Sequence, residues 1–225
     1  MPKKAIVFTD IKSSSKLWAA NGKQMIKALD DHDQRIHAVI KKLKDGFIIK
    51  TIGDSYMVSF KTLDNAIAFS IMVLIDMRKK PIKVGTLTMD IRIGISYGNV
   101  EVKKMRVQNK NLIDLFGVTV NKASRMESKV SPVSGFAYHT KLKYTFDPAK
   151  FAKYLTGYNL SHKKINYKKS GKCDRTKRSA RLLTDAQYEC RNSDELKGVG
   201  ELIAHSFSIK PKVVKKIVRK KPKKK

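Results

Sequence analysis

The sequence predicts an α+β fold, with helices packed on one face of an antiparallel sheet. Three observations carry this. "AIVFTDI", residues 5–11, is an apolar strand-like run that ends in an acid. Residues 23–43 and 62–79 place apolar side chains at helical spacing. "IKTIGDSYMVSF", residues 49–60, and "DIRIGISY", residues 90–97, have the pattern of strands. Over the first hundred residues the order is strand, helix, hairpin, helix, strand. That order is the ferredoxin-like, palm-type arrangement.

Each element has its own signal. Residues Lys23 to Leu43 put Met25, Ile26, Leu29, Ile36, Val39, Ile40 and Leu43 on one helix face, and Gly46 is the expected stop. A hairpin follows from Phe47 to Phe60, with Gly53 and Asp54 at the bend. Turn geometry explains Gly53, and a turn aspartate is common. Neither explains Lys50, a cation on an otherwise apolar strand. Thr62 opens a second helix that runs to Lys79, before Pro81. Residues 90–97 alternate as a half-buried strand should, Gly98 ends them, and a further strand is expected near Val100. A loop, a short helix from Val118 to Lys129 and a strand at Phe136 to His139 come next. Residues 141–191 are basic and poorly patterned, with a short helix expected after Asp147-Pro148. Residues 196–209 suggest a closing C-terminal hairpin. No internal repeat is visible.

Composition bounds the rest. At 225 residues, 41% of them apolar, the chain suits one domain with a real core. Its formal net charge is +30. Ten of the last sixteen residues are Lys or Arg, and residues 162–181 hold nine Lys/Arg against the single acid Asp174. Such blocks are solvated tails or loops that attract polyanions, so nucleic acid or an anionic surface is a possible partner of the tail, residues 210–225. Cys173 and Cys190 belong to no CxxC pair and are expected as reduced thiols. The chain opens without a signal peptide, and its most apolar run, residues 66–75, is about half a bilayer span. An intracellular, soluble protein is expected, cytoplasmic or, given the tail, nuclear.

Asp10 ends the first strand and Asp54 sits at the hairpin bend. A palm-type sheet would bring both to one sheet end, where they repel unless a cation joins them. Oxygen ligands without histidine suit Mg2+ or Mn2+ rather than zinc. The same spacing also lets Asp10 cap the helix after Ser13 and Asp54 cap its turn. A second cluster lies in "LIDLFGVTVNKASRMES", residues 112–128. Asn121 and Arg125, four apart, share a helix face, and Asp114 precedes them. Arginine suits an anionic transition state. An ordinary exposed polar face has the same spacing.

Together the two clusters resemble the class III nucleotidyl cyclases, the adenylyl and guanylyl cyclase catalytic domain. The matching segments are "VFTDIKSSSKLW", "IKTIGDSYMVSF", "IRIGISYGNVEV", "DLFGVTVNKASRMES" and "LKGVGELIAHSF", in the family's order, from Val7 to about Phe207. The resemblance implies roles. Asp10 and Asp54 match the two metal-binding aspartates. Lys50 and Asp114 match the base-reading positions, in the combination found in ATP-selective members. Asn121 matches the residue that orients the ribose, Arg125 the transition-state arginine, and Lys197 the triphosphate-binding lysine. It further implies conversion of ATP to 3′,5′-cyclic AMP and pyrophosphate with two divalent cations. A head-to-tail homodimer is implied, because one subunit gives the aspartates and its partner the base-reading and transition-state residues. Of the five histidines only His205, in "LKGVGELIAHSF", lies in a matched segment, and none is at a position to which the resemblance gives a role; His32, His37 and His139 are expected at the surface or in packing.

Residues 1–209 would form the catalytic domain, with 141–191 a divergent basic insertion where the resemblance fails. Alternatives are a cyclase of the same fold acting on GTP or a pyrimidine nucleotide, and a basic nucleic-acid-binding protein on a cyclase-like fold. The second has charge in its favour but no zinc finger, RNA-binding aromatic strand or recognition helix. A palm-type polymerase or diguanylate cyclase would share the two acids but lacks "TVNKASRM".

Overall fold

Alternation along β1 (Lys3–Ile11) sorts its side chains between two cores. Ala5, Val7 and Ile11 enter one, while Ile6 enters the other with Phe8 packed against it. Most strands that follow extend the sheet, and helices cover its two faces. The protein is described by a computed structural model over residues 1–107, 110–169, 187–197 and 199–212. The basic tail beyond Lys212, and Cys173, lie outside the described residues.

After β1 come α1 (Ser14–Ala20), α2 (Gly22–Leu43), the hairpin of β2 (Phe47–Ile52) and β3 (Ser55–Phe60), and α3 (Leu63–Lys79). A small ribbon, β4 (Lys83–Val84) and β5 (Leu87–Thr88), leads to β6 (Ile91–Asn99). A second ribbon, β7 (Glu101–Val107) and β8 (Lys110–Phe116), precedes α4 (Val118–Arg125), which runs on as a π-turn over Met126–Val130. Then follow β9 (Gly135–Thr140), a 3-10 turn at Pro148–Tyr154, β10 (Tyr158–Lys168), β11 (Gln187–Asn192), a 3-10 turn at Ser193–Leu196, and β12 (Leu202–Pro211). The expected loop after Val100 is thus a hairpin, and the expected helix after Asp147 is a 3-10 turn whose first N–H, from Ala149, is capped by Asp147.

Eight strands form one sheet in the order β11-β10-β12-β9-β6-β1-β3-β2. The α+β class holds, and the sheet is mixed, because β6 pairs with β9 and β10 with β11 in parallel. α4 supplies the crossover between β6 and β9. The closing hairpin expected within residues 196–209 does not form. That stretch gives one turn and one strand, β12, whose antiparallel partners are β10 and β9. β10 lies inside the segment that lacked a strand pattern. Its lysines and asparagines hide the period, since only His162, Ile165 and Tyr167 along it are buried.

α2 and α3 cover the first face. Asn21 caps α2 by accepting from Gln24 N at 3.0 Å, and Thr62 caps α3 by accepting from Asn65 N at 3.2 Å. α2 ends at Lys44 in the left-handed region, φ 62°, rather than at Gly46. Gly46 serves packing instead: a Cβ there would stand 2.7 Å from Phe60 Cε1. α4 covers the second face. It runs along β6 with Thr119 over Gly98, and with Ala123 and Glu127 over Gly94. A Cβ at Gly94 would lie 1.9 Å from Glu127 N and 2.4 Å from Ala123 O. Only glycine lets the helix approach this closely.

Candidate active site

Asp10 lies on the α4 side of the sheet, because β1 alternates and Ile6 and Phe8 face that way. Its Oδ1 accepts from Ser55 Oγ at 3.0 Å, and its Oδ2 accepts from Arg92 Nη2 at 2.6 Å. Arg92 stands directly opposite Asp10 in the β1–β6 register. The same Nη2 lies 3.0 Å from Glu127 Oε1, an electrostatic contact without hydrogen-bond alignment. Ser13, the residue before α1, makes no side-chain cap and Asp10 is engaged with Ser55 and Arg92, so the helix-capping role for Asp10 is not used.

Asp54 closes the two-residue turn between β2 and β3, after Gly53 at φ 62°. Positive φ at the first turn position alone is the II′ pattern, which requires Gly there. Asp54 Oδ2 is buried and has no hydrogen-bond partner among the described residues. A buried carboxylate oxygen left bare needs a compensating group. Among the described residues no cluster of three or more His, Cys, Asp and Glu forms. Two carboxylates that leave room for substrate oxygens are what Mg2+ accepts, so the residues present fit such an ion. Glu127 is buried beside these groups. Burial first, then the charges of Asp10 and Asp54, raise its pKa to about 7 against the opposing pull of Arg92.

Lys50 reaches the α4 side through a bulge. Ile48 pairs with Val58, and Lys50 pairs with Met57, so Ile49 is the extra residue. Simple alternation would have put Lys50 on the face of Ile48 and Val58, in the core beneath α2 and α3. Instead Lys50 Nζ lies 2.6 Å from Asp114 Oδ2 on β8 and 5.6 Å from the Phe116 ring centre. Asp114 Oδ1 accepts from Leu115 N at 2.8 Å. Asp114 is 8% exposed.

Asn121 is exposed and Arg125 half-buried on α4, and neither side chain has a hydrogen-bond or ionic partner among the described residues. Lys197 follows the turn at Ser193–Leu196 and is exposed. The register runs from Asp10 through Arg92 and Gly135 to Ser208, so Leu202, where β12 begins, is at the opposite sheet end from Asp10. One chain therefore shows separate groups: Asp10 and Asp54 with Arg92, the Lys50–Asp114 pair, and Lys197 on its own.

A family model described as adenylate and guanylate cyclase catalytic domain matches residues 2–134. The chain belongs to this cyclase family. Adenylate cyclases of Podospora anserina and Neurospora crassa are each 30% identical to it, over 145 and 142 residues. Each match takes in 55% of this chain and 6% of the relative, so the chain spans only a small part of those proteins. Among solved structures, an adenylate cyclase of Trypanosoma brucei in its monomeric state superimposes with a TM-score of 0.62 at 17% identity, covering 93% of this chain and 90% of that one. The guanylate cyclase domain of a rhodopsin-cyclase from Catenaria anguillulae, solved with GTP, gives 0.60 at 18% identity, covering 94% and 98%. These two establish a shared class III cyclase fold. Beyond the residues read from sequence, the structure places Ser55 and Arg92 against Asp10, and Glu127 against Arg92. The one available signal was Arg92, an arginine on the inner part of an alternating strand.

Proposed function

We propose that this chain is an adenylyl cyclase, converting ATP to 3′,5′-cyclic AMP and pyrophosphate at the interface of a head-to-tail homodimer. The carrying observation is the Lys50–Asp114 pair, a cationic donor and a carboxylate acceptor 2.6 Å apart. Adenine presents a ring acceptor beside an exocyclic amine donor, and this pair complements both. Asp10 and Asp54 would hold two divalent cations, Mg2+ or Mn2+. Such ions, when bound, neutralise the triphosphate and lower the pKa of the attacking hydroxyl.

The chain's own residues do the rest. Asn121 orients the ribose. Its 3′-oxygen bonds to the α-phosphorus, the bridge to the β-phosphate breaks, and the hydroxyl proton leaves to solvent. Arg125, on the same helix side as Asn121 and without a partner among the described residues, meets the charge that develops on the α-phosphoryl oxygens. Arg92, beside Asp10, and Lys197 supply further positive charge for the phosphates. Lys50 and Asp114 pair with each other and share no hydrogen bond or ion pair with Asp10 or Asp54 among the described residues, which supports completion of each site by a second copy. So does an exposed apolar surface: Val102, Leu112, Ile113 and Phe116 on the β7–β8 ribbon, Ile52 on β2 and Val118 on α4. The catalytic unit would be residues 1–209, followed by the basic tail.

Among the described residues no helix is long and apolar enough to cross a membrane. The test is product formation from ATP, GTP, CTP and UTP with Mn2+ or Mg2+, for the wild type and Asp54→Ala. Cyclic AMP from the wild type alone supports the proposal. A different cyclic nucleotide overturns the reading of Lys50 and Asp114, and equal product from Asp54→Ala overturns the metal assignment.

A further inference from the structure

Lys122, on α4, is 4% exposed and forms no ion pair among the described residues. Its Nζ lies 3.2 Å from His139 Nε2, while His139 Nδ1 lies 2.8 Å from the carbonyl oxygen of Ile203. The carbonyl can only accept, so Nδ1 carries the ring proton and Nε2 accepts from the lysine. One ammonium proton is thereby used and two remain. Burial lowers the pKa of Lys122, and the charge of Lys141 lowers it further. A buried cation facing a second cation, with no carboxylate beside it, is costly unless an anion joins it.

The surroundings offer that anion a place. Lys122 lines a cavity of about 650 Å³, within the range of small-molecule sites. Lys3, Lys141 and His139 line it too, against one acid, Glu101. Its wall includes Gly117, Val118 and Thr119, the start of α4, where no side chain caps the free backbone N–H groups. Asn121 and Arg125 are not among the residues that line it.

We propose that this cavity binds a small phosphate-bearing anion, with Lys122 as its buried contact and Lys3 and Lys141 at its rim. The site is distinct from the one assigned to ATP. The shared chemistry is a terminal, negatively charged phosphoryl group, whether of inorganic phosphate or of the pyrophosphate that a cyclase releases.

The test titrates the full-length protein with inorganic phosphate and, separately, pyrophosphate at constant ionic strength. Binding is followed by calorimetry and thermal shift. Lys122→Met keeps an unbranched side chain, one atom shorter, and removes its charge, so affinity should fall at least about tenfold, the value of one charge-assisted hydrogen bond. Added ATP should not compete with inorganic phosphate, which separates this cavity from the ATP site. Lys141→Ala changes an exposed residue and should weaken binding by about threefold or more, which covers the case in which Lys122→Met does not fold. Tighter binding of phosphate or of pyrophosphate supports the proposal and identifies the source. Unchanged affinity in both lysine variants, or no binding of either anion to the wild type, overturns it.

Discussion

Lys50 Nζ sits 2.6 Å from Asp114 Oδ2, tying the edge of the main sheet to the β7–β8 ribbon. In this state donor and acceptor satisfy each other, and an incoming adenine would exchange one such pairing for two. Lys50 is 39% exposed at its side chain, so the pair itself stabilises by about 1 kcal/mol at most. Lys50→Met should therefore shift Tm by only a few degrees. It should lower kcat/KM for ATP by about tenfold to a hundredfold, because a polar recognition contact is lost. Parallel kinetics with ATP and GTP check this. An unchanged ATP preference would remove Lys50 from base recognition.

Asp54 Oδ2 is buried without a partner among the described residues, so the carboxylate costs stability in the absence of a cation. Asp54→Asn should leave Tm in metal-free buffer unchanged or raised. Added Mn2+ should raise the Tm of the wild type, by the equivalent of about 2.7 kcal/mol at a hundred times Kd, and leave the variant unmoved. Cyclase activity should fall by at least about 10²-fold. An equal Mn2+ response in both proteins would place the ion elsewhere.

How far the sequence reveals this depends on what kind of order each element needs. α2 and α3 are legible because their apolar faces repeat at helical spacing, and the β2–β3 bend because Gly53 is the residue its backbone requires. Asp10, Asp54, Lys50 and Asp114 are nameable only through motif resemblance. The Lys50–Asp114 and Asp10–Arg92 pairings rest on a bulge at Ile49 and on strand register between residues far apart in sequence, which no local pattern encodes. Arg92 escapes for the same reason, since its partner Asp10 is across the sheet. β10 escapes because its exposed lysines blur the alternation, and the closing hairpin fails because β12 takes a distant partner.

Gly94 gives a sharper test of how the fold holds the site. A Cβ there would meet backbone atoms of Glu127 and Ala123, which no rotamer change can relieve. At Gly98 the nearest obstacle, 2.7 Å away, is the hydroxyl of Thr119, a side chain that can rotate. Gly94→Ala should thus destabilise by about 1–3 kcal/mol or more, and Gly98→Ala by less. Because α4 carries Asn121 and Arg125, its displacement should also cost about 10²-fold in activity. Thermal melts and kcat measurements on both variants check the ranking, and equal effects would show that α4 yields freely.

The histidines predict how stability changes with pH. Burial lowers the pKa of His139 and His162 to about 4 and of His205 to about 3, and it lowers that of His32 as well. These groups stay neutral in the fold while the unfolded chain takes up protons below about 6.5. Their contribution is complete above that pH and is lost as pH falls toward 4. Glu127 opposes them: its raised pKa, about 7, keeps a proton in the fold that the unfolded chain releases above about 4.5. Between pH 6.5 and 4.5 the histidines outnumber it, so stability should fall on acidification by about 1.4 kcal/mol per pH unit for each net proton, and Tm with it. His162 Nε2 and His205 Nδ1 lie 3.0 Å apart and the rings stack, so they titrate as a pair. Replacing both, His162→Phe with His205→Phe, removes donor and acceptor together and should flatten the acid limb of the Tm–pH curve. A curve as steep as the wild type's would assign the acid sensitivity to other groups.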